Sequence, residues 1–205
     1  MNLKKTIKIL FLTGLVLSSI GLIRVVYYQA KANVAQAMIE SVWNEREKTV
    51  KLINPENLKP WPWADTWPVM KIEFPEFSRS SLMNSNYISS NIVLKDDSGE
   101  SLAFGPGLMT TDILPGDVGN SFIAAHRDTH FSSIGQLLKN NTIKITLHSG
   151  ITHQFIIDRI KIVDSRTEQA WTATNEKRIT LVTCYPFDGS IPNTPLRYLV
   201  SAIII

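Results

Sequence analysis

A chain of 205 residues with 44% apolar and 19% charged side chains has room for one domain with a true core plus an appendage, and is too apolar for extensive disorder. The formal charge of +3 is concentrated at one end, because Lys4, Lys5, Lys8 and Arg24 stand with no acid among the first 24 residues, leaving the rest at about −1. A near-neutral body without a basic stripe excludes a nucleic-acid partner.

In chain order, the uncharged run "ILFLTGLVLSSIGLI", Ile9 to Ile23, predicts a retained signal-anchor over residues 1–28, with Lys8 and Arg24 snorkelling and Tyr27 and Tyr28 at the interface. The competing reading is a cleaved signal peptide using Ala30, Lys31 and Ala32. That site lies several residues past the apolar run, and the helical pattern continues through it, which favours the anchor. Either way the lysines stay inside and the remainder is exported. Residues 29–68 follow as a connecting segment. Ala35, Met38, Ile39, Val42 and Trp43 fall on one face of a predicted amphipathic helix. "NPENLKPWPWADTWP", with four prolines and three tryptophans, then ends any helix and reads as a linker whose aromatics tuck onto the domain.

From residue 69 to 205 the texture becomes short β-type runs between turn residues: "VMKIEF", "YISSNIVL", "SLAFG", "SFIAAH", "TIKITL", "HQFIIDRIKIV", "RITLVT" and "RYLVSAIII". These runs predict an all-β barrel or sandwich. Gly105, Pro106 and Gly107 read as a tight turn, and "FSSIGQLLKN" is the one short helical candidate.

The single cysteine, Cys184, ends a β-branched run just before the proline-rich loop "YPFDGSIPNTP", where a substrate can reach it. A lone thiol in an exported chain suggests a reactive group, against the alternative of a small buried hydrophobe. His126 sits where another apolar strand gives way to polar residues, and an imidazole can both activate a thiol and deliver a proton near neutral pH. His130 is a rival, ranked lower because it lies deeper in the loop. Arg197 opens the last strand in a run almost devoid of charge; it is either a rim salt bridge or a fork of donors for a carbonyl or oxyanion. Asp128 is a candidate for orienting the imidazole, beside the plainer reading of a loop carboxylate pairing with Arg127 or a backbone amide. One cysteine and unpatterned histidines give no metal site, and no cofactor is implied.

Together, "TLVTC" (Thr180 to Cys184), "LRY" (Leu196 to Tyr198) and "AAHRDTHF" resemble the sortase family of cysteine transpeptidases. "WPWADTWPV", "SLAFGPG", "LPGDVGNSFIAAHRDTHF" and "TLVTCYPFDG" resemble more closely the class of Gram-negative, marine proteobacterial sortases. The resemblance implies a closed eight-stranded β-barrel over 69–205, with Cys184 as nucleophile, His126 as acid and base, and Arg197 as carbonyl or oxyanion partner. It further implies substrate contacts from Thr183 and Tyr185. The expected partners are an exported protein with a C-terminal LPxTG-like sorting signal and an amine acceptor, met by an enzyme held in the inner membrane by a single pass and facing the periplasm. Ala125 departs from the Gly that commonly precedes the catalytic histidine, a costly methyl if the backbone there needs positive φ. A cysteine endopeptidase with the same residues, or a tethered binding or adhesion domain with an inert thiol, are the rival readings.

Overall fold

The computed structural model describes residues 34–45, 58–75, 87–109, 113–168 and 174–205, with isolated positions between 11 and 30. Most of the predicted anchor lies outside the described residues, and among those described no helix is long and apolar enough to cross a membrane. The chain divides into two compact units, Met1–Ala37 and Met38–Ile205; the second builds the barrel. Residues 34–45 form helix α1, and its stripe at 35, 39 and 43 is buried, as a period near four dictates.

Eight strands close a barrel: β1 (Pro68–Pro75), β2 (Tyr87–Lys95), β3 (Gly107–Leu108), β4 (Gly119–Ala124), β5 (Thr142–Leu147), β6 (Thr152–Asp164), β7 (Lys177–Cys184) and β8 (Leu196–Ile204). Their spatial order is β1-β2-β3-β4-β7-β8-β6-β5, closing β5 onto β1. The interior follows from the period of two along each strand. Met70, Ile72 and Phe74 on β1, Ile143 and Ile145 on β5, and Phe155 and Ile157 on β6 all point inward and are fully buried. Phe131, from the connection after β4, closes one end edge-on against Phe74 at 6.2 Å.

Seven of the eight predicted runs are strands, and "SLAFG" is the exception. Gly99–Phe104 forms a short helix, α2, because the Ser98 hydroxyl accepts from the Ser101 amide and Glu100 sits in the first turn, so local capping overrides the apolar look of the run. The eighth strand is instead β3, which starts at the last residue of the segment read as a turn. Its two residues pair in parallel with β2 and antiparallel with β4. That close fit needs glycine, since a Cβ at Gly107 would collide with the Asp96 carbonyl. "FSSIGQLLKN" forms only a 3-10 turn, Ile134–Gln136, in which Phe131, Ile134 and Leu137 repeat every three residues and are all buried. The Trp-rich segment does tuck in part: Trp61 is buried edge-on against Phe104 of α2 at 5.0 Å, while Trp63 stays 77% exposed.

At the rim where β7 begins, Arg178 is buried and forks onto Asp158 of β6, with Nη1 donating to Oδ1 at 2.6 Å and Nη2 to Oδ2 at 3.0 Å, and onto Glu176 at 2.6 Å. Burial alone would raise the Asp158 carboxyl, but the Arg178 hydrogen bonds and charge outweigh it and hold the group below its usual range. Stability from this pair is therefore present above the unfolded carboxyl value and is lost as pH falls through the folded one. Arg178→Met is expected to cost about 1–3 kcal/mol at neutral pH. Thermal melts of both proteins should show the gap closing as pH drops below about 4.

Candidate active site

The sheet order, more than any single contact, places the site. β4 and β7 are parallel neighbours, in register from Gly119↔Lys177 to Ala124↔Val182, so both finish at the same rim. β8 runs antiparallel to β7 and starts there. Cys184 is the last residue of β7, His126 lies two residues beyond β4, and Arg197 is the second residue of β8 and the direct cross-strand partner of Cys184. The three candidate residues thus arrive from three strand ends.

Backbone pairing continues past these ends and fixes the loops. The Ala125 amide donates to the Val182 carbonyl at 3.2 Å, and the buried Thr183 hydroxyl donates to the Ala125 carbonyl at 2.7 Å. The Phe131 amide closes the His126 loop by donating to the His126 carbonyl at 3.1 Å. On the other side, the Tyr185 amide donates to the Leu196 carbonyl at 3.0 Å. Ala125 has no positive φ and packs into the main core, so its methyl carries no strain and serves as core contact. Thr183 borders the cleft, yet its hydroxyl is committed to the backbone before His126. Tyr185 stacks on Tyr198 at 6.2 Å, and Phe187 meets Tyr198 edge-on at 5.1 Å. This aromatic cluster stiffens the start of the β7–β8 loop, and the 3-10 turn approaches it so closely that a Cβ on Gly135 would press on the Phe187 ring at 2.8 Å.

Two cavities meet at Cys184, His126 and Arg197, and each is bordered by all three. The first, about 350 Å³, has an apolar floor: Met109, Val163 and Val182, part of a second buried cluster with Phe122 and Leu199 on the outer face of the sheet. The second, about 460 Å³, is polar, and adds Arg127, Asp128, Asn193 and Thr194. Cys184 is half-buried, so its thiol is open to the cleft. Arg197 Nη1 donates to the carbonyls of Thr194 at 2.7 Å and Leu196 at 3.0 Å. Its Nε and Nη2 make no hydrogen bond among the described residues, leaving donors on a residue that borders both cavities.

Among the histidines, His126 borders both cavities and His130 borders neither. Burial, then the charge of His126, holds the His130 imidazole below its ordinary value, while Asn91 Nδ2 donates to its carbonyl at 3.5 Å. Asp128 borders the polar cavity, and no hydrogen bond joins it to His126 among the described residues. Among the described residues no group of three or more His, Cys, Asp or Glu is placed to hold a metal. The residues sequence reasoning missed are the apolar floor and Arg127. Val163 and Val182 are ordinary strand hydrophobes and Met109 directly follows β3, none with a motif, and Arg127 enters the sequence reading only as a neighbour of Asp128. Arg127 Nη2 donates to the Ile191 carbonyl at 3.2 Å, pinning the β7–β8 loop over the polar cavity, and its Nη1 is buried without a partner.

A neutral His130 has a sign that can be tested. Its folded value lies below the unfolded one, so the unfolded state takes up more protons and wild-type stability falls as pH drops through about 6.5. His130→Gln is expected to flatten that acid limb, checked by comparing melting temperatures of both proteins at pH 7.5 and 5.5.

Comparison with known proteins agrees with this arrangement. A sortase domain model matches residues 84–204, which include all three converging residues. A curated relative, "Sortase D" of Bacillus subtilis, is 30% identical over 110 residues; the match spans 53% of this chain and 54%, about half, of that protein's length. The fold is shared with a Clostridium perfringens sortase D5 transpeptidase, at a TM-score of 0.60 and 20% identity over 84% of this chain and 99% of that one. It is shared also with sortase A of Listeria monocytogenes, at 0.55 and 22% identity over 67% and 87%. A family model that covers more than half of the chain and most of the barrel settles the descent of the domain: this chain belongs to the sortase family.

Proposed function

We propose that this protein is a cysteine transpeptidase that cleaves a sorting signal near the C-terminus of an exported protein and passes the acyl group to an amine. The observation that carries this is the meeting of Cys184, His126 and Arg197 at the junction of two cavities. The Cys184 thiolate attacks the scissile carbonyl. Arg197, whose Nε and Nη2 make no hydrogen bond among the described residues, holds the carbonyl oxygen as it gains charge. The tetrahedral intermediate collapses, the C–N bond breaks, and His126 protonates the departing amine, leaving a thioester. An incoming amine attacks that thioester, gives its proton to His126, and releases the thiolate.

A free thiol with a value near 8.5 is only a few per cent thiolate at neutral pH, so the cation and base beside it matter to the rate. Thr183 acts in this reading through the Ala125 carbonyl, holding the histidine loop to the nucleophile strand, and Tyr185 by stiffening the loop that borders the cleft. Localisation is part of the same proposal: the charge asymmetry around Ile9–Ile23 supports a single-pass inner-membrane anchor with the barrel on the periplasmic side. The motifs "WPWADTWPV" and "SLAFGPG" support placement in the Gram-negative class.

Cys184→Ala should abolish thioester formation and acyl transfer, and Arg197→Ala should lower the rate about 10²- to 10³-fold while the melting temperature barely moves. Both are read by mass spectrometry of a Leu-Pro-Xaa-Thr-Gly peptide mixture incubated with enzyme and amine. Full activity in Cys184→Ala rules the mechanism out. Cleavage whose product never contains the added amine makes the protein an endopeptidase instead.

A further inference from the structure

We infer that the polar cavity receives the amine acceptor in its ammonium form, and that Asp128 is the residue positioning it. This rests on the transpeptidase reading and deepens it. A transfer enzyme must bring two different substrates to one sulfur, and here two cavities, one with an apolar floor and one without, share that sulfur. The peptide donor suits the cavity floored by Met109, Val163 and Val182, where apolar side chains lose water. Asp97 and Glu168 border that cavity too, so it is the acyl donor occupying it, and not charge alone, that leaves a small cationic amine the other cavity and its carboxylate.

Among the described residues Asp128 is the one carboxylate bordering that cavity, and it is exposed. Its charge is not spent within the protein: no salt bridge or hydrogen bond to its side chain is present among the described residues. The neighbouring cation, Arg127, is tied instead to the Ile191 carbonyl and lies near Asp188, whose carboxyl its charge helps to lower after the Ser190 hydrogen bonds. Nor does Asp128 bond His126, as an imidazole-orienting residue would. An ammonium held by Asp128 waits between the base and the thioester. It gives one proton to solvent, its nitrogen attacks the thioester carbonyl, the proton still carried by that nitrogen passes to His126, the C–S bond breaks, and the electron pair returns to sulfur.

The test separates binding of a charged amine from chemistry. Wild type, Asp128→Asn and Asp128→Glu are compared with a Leu-Pro-Xaa-Thr-Gly peptide mixture at pH 6.8. Glycinamide serves as a nucleophile that is mostly ammonium below its α-amino value of about 7.7–8.0, and hydroxylamine as an uncharged one. In Asp128→Asn the KM for glycinamide should rise about fivefold, the upper end for an exposed ion pair, with the KM for hydroxylamine changing far less and Asp128→Glu restoring much of the loss. Equal losses for both nucleophiles, or slower thioester formation in step with them, overturn the assignment and make Asp128 a partner of His126. No change with glycinamide also overturns it. A wild-type protein that forms no thioester with any peptide removes the transpeptidase reading itself, and this inference with it.

Discussion

The parallel pairing of β4 with β7 is the constraint on which the site depends. Antiparallel neighbours joined by a hairpin would put their C-terminal ends at opposite rims; a parallel pair puts both at one. Such a pair cannot be made with a tight turn, and the chain meets this requirement by sending the 3-10 turn, β5 and β6 around the barrel between the two strands. β8 then returns beside β7 and opens where β7 closes. The long crossover is what allows an imidazole and a sulfur 58 positions apart to border one cleft, and the hairpin-like return of β8 supplies the guanidinium in direct register with the sulfur.

The same arrangement explains why β7 is buried along nearly its whole length instead of alternating. Ile179 and Leu181 face the barrel core, while Val182 joins Phe122, Val163 and Leu199 on the outer side. A strand covered on both faces reads as a continuous apolar run. Its polar members are correspondingly satisfied: the Thr180 hydroxyl donates to Asn120 Oδ1 at 3.0 Å, and Thr183 bonds the Ala125 carbonyl. Moving the thiol of Cys184 relative to the histidine loop would therefore mean breaking buried hydrogen bonds, which are expensive to leave unmade. Rigid support of this kind keeps a nucleophile and its base within reach of one carbonyl.

Much of this was legible in the residues. Short β-type runs between turn residues identified β1, β2, β4, β5, β6, β7 and β8 closely, since most of them bury one or both faces against a continuous core. β3 was not legible, because two residues carry no period and its signature, Gly107, is indistinguishable in sequence from a turn glycine. α2 was misread for a related reason: a six-residue helix has too few turns to show a stripe, and the decisive signal was the Ser98 cap.

The site divides along the same line. Cys184, His126 and Arg197 stand out because each is a chemically conspicuous residue at the end of an apolar strand, where side chains change from filling space to facing solvent. The cleft that gives them something to act on does not stand out, because Met109, Val163 and Val182 look like any other core residues until the strand order shows that their face is the outer one. Ala125 makes the converse point. Sequence alone raised a worry about backbone strain, yet the chain there simply extends the β4–β7 pairing by one more residue, and the methyl fills core volume that glycine would leave open. Reactivity at such a rim is a matter of which residue types occupy strand ends, and selectivity is a matter of which faces the closed sheet leaves uncovered.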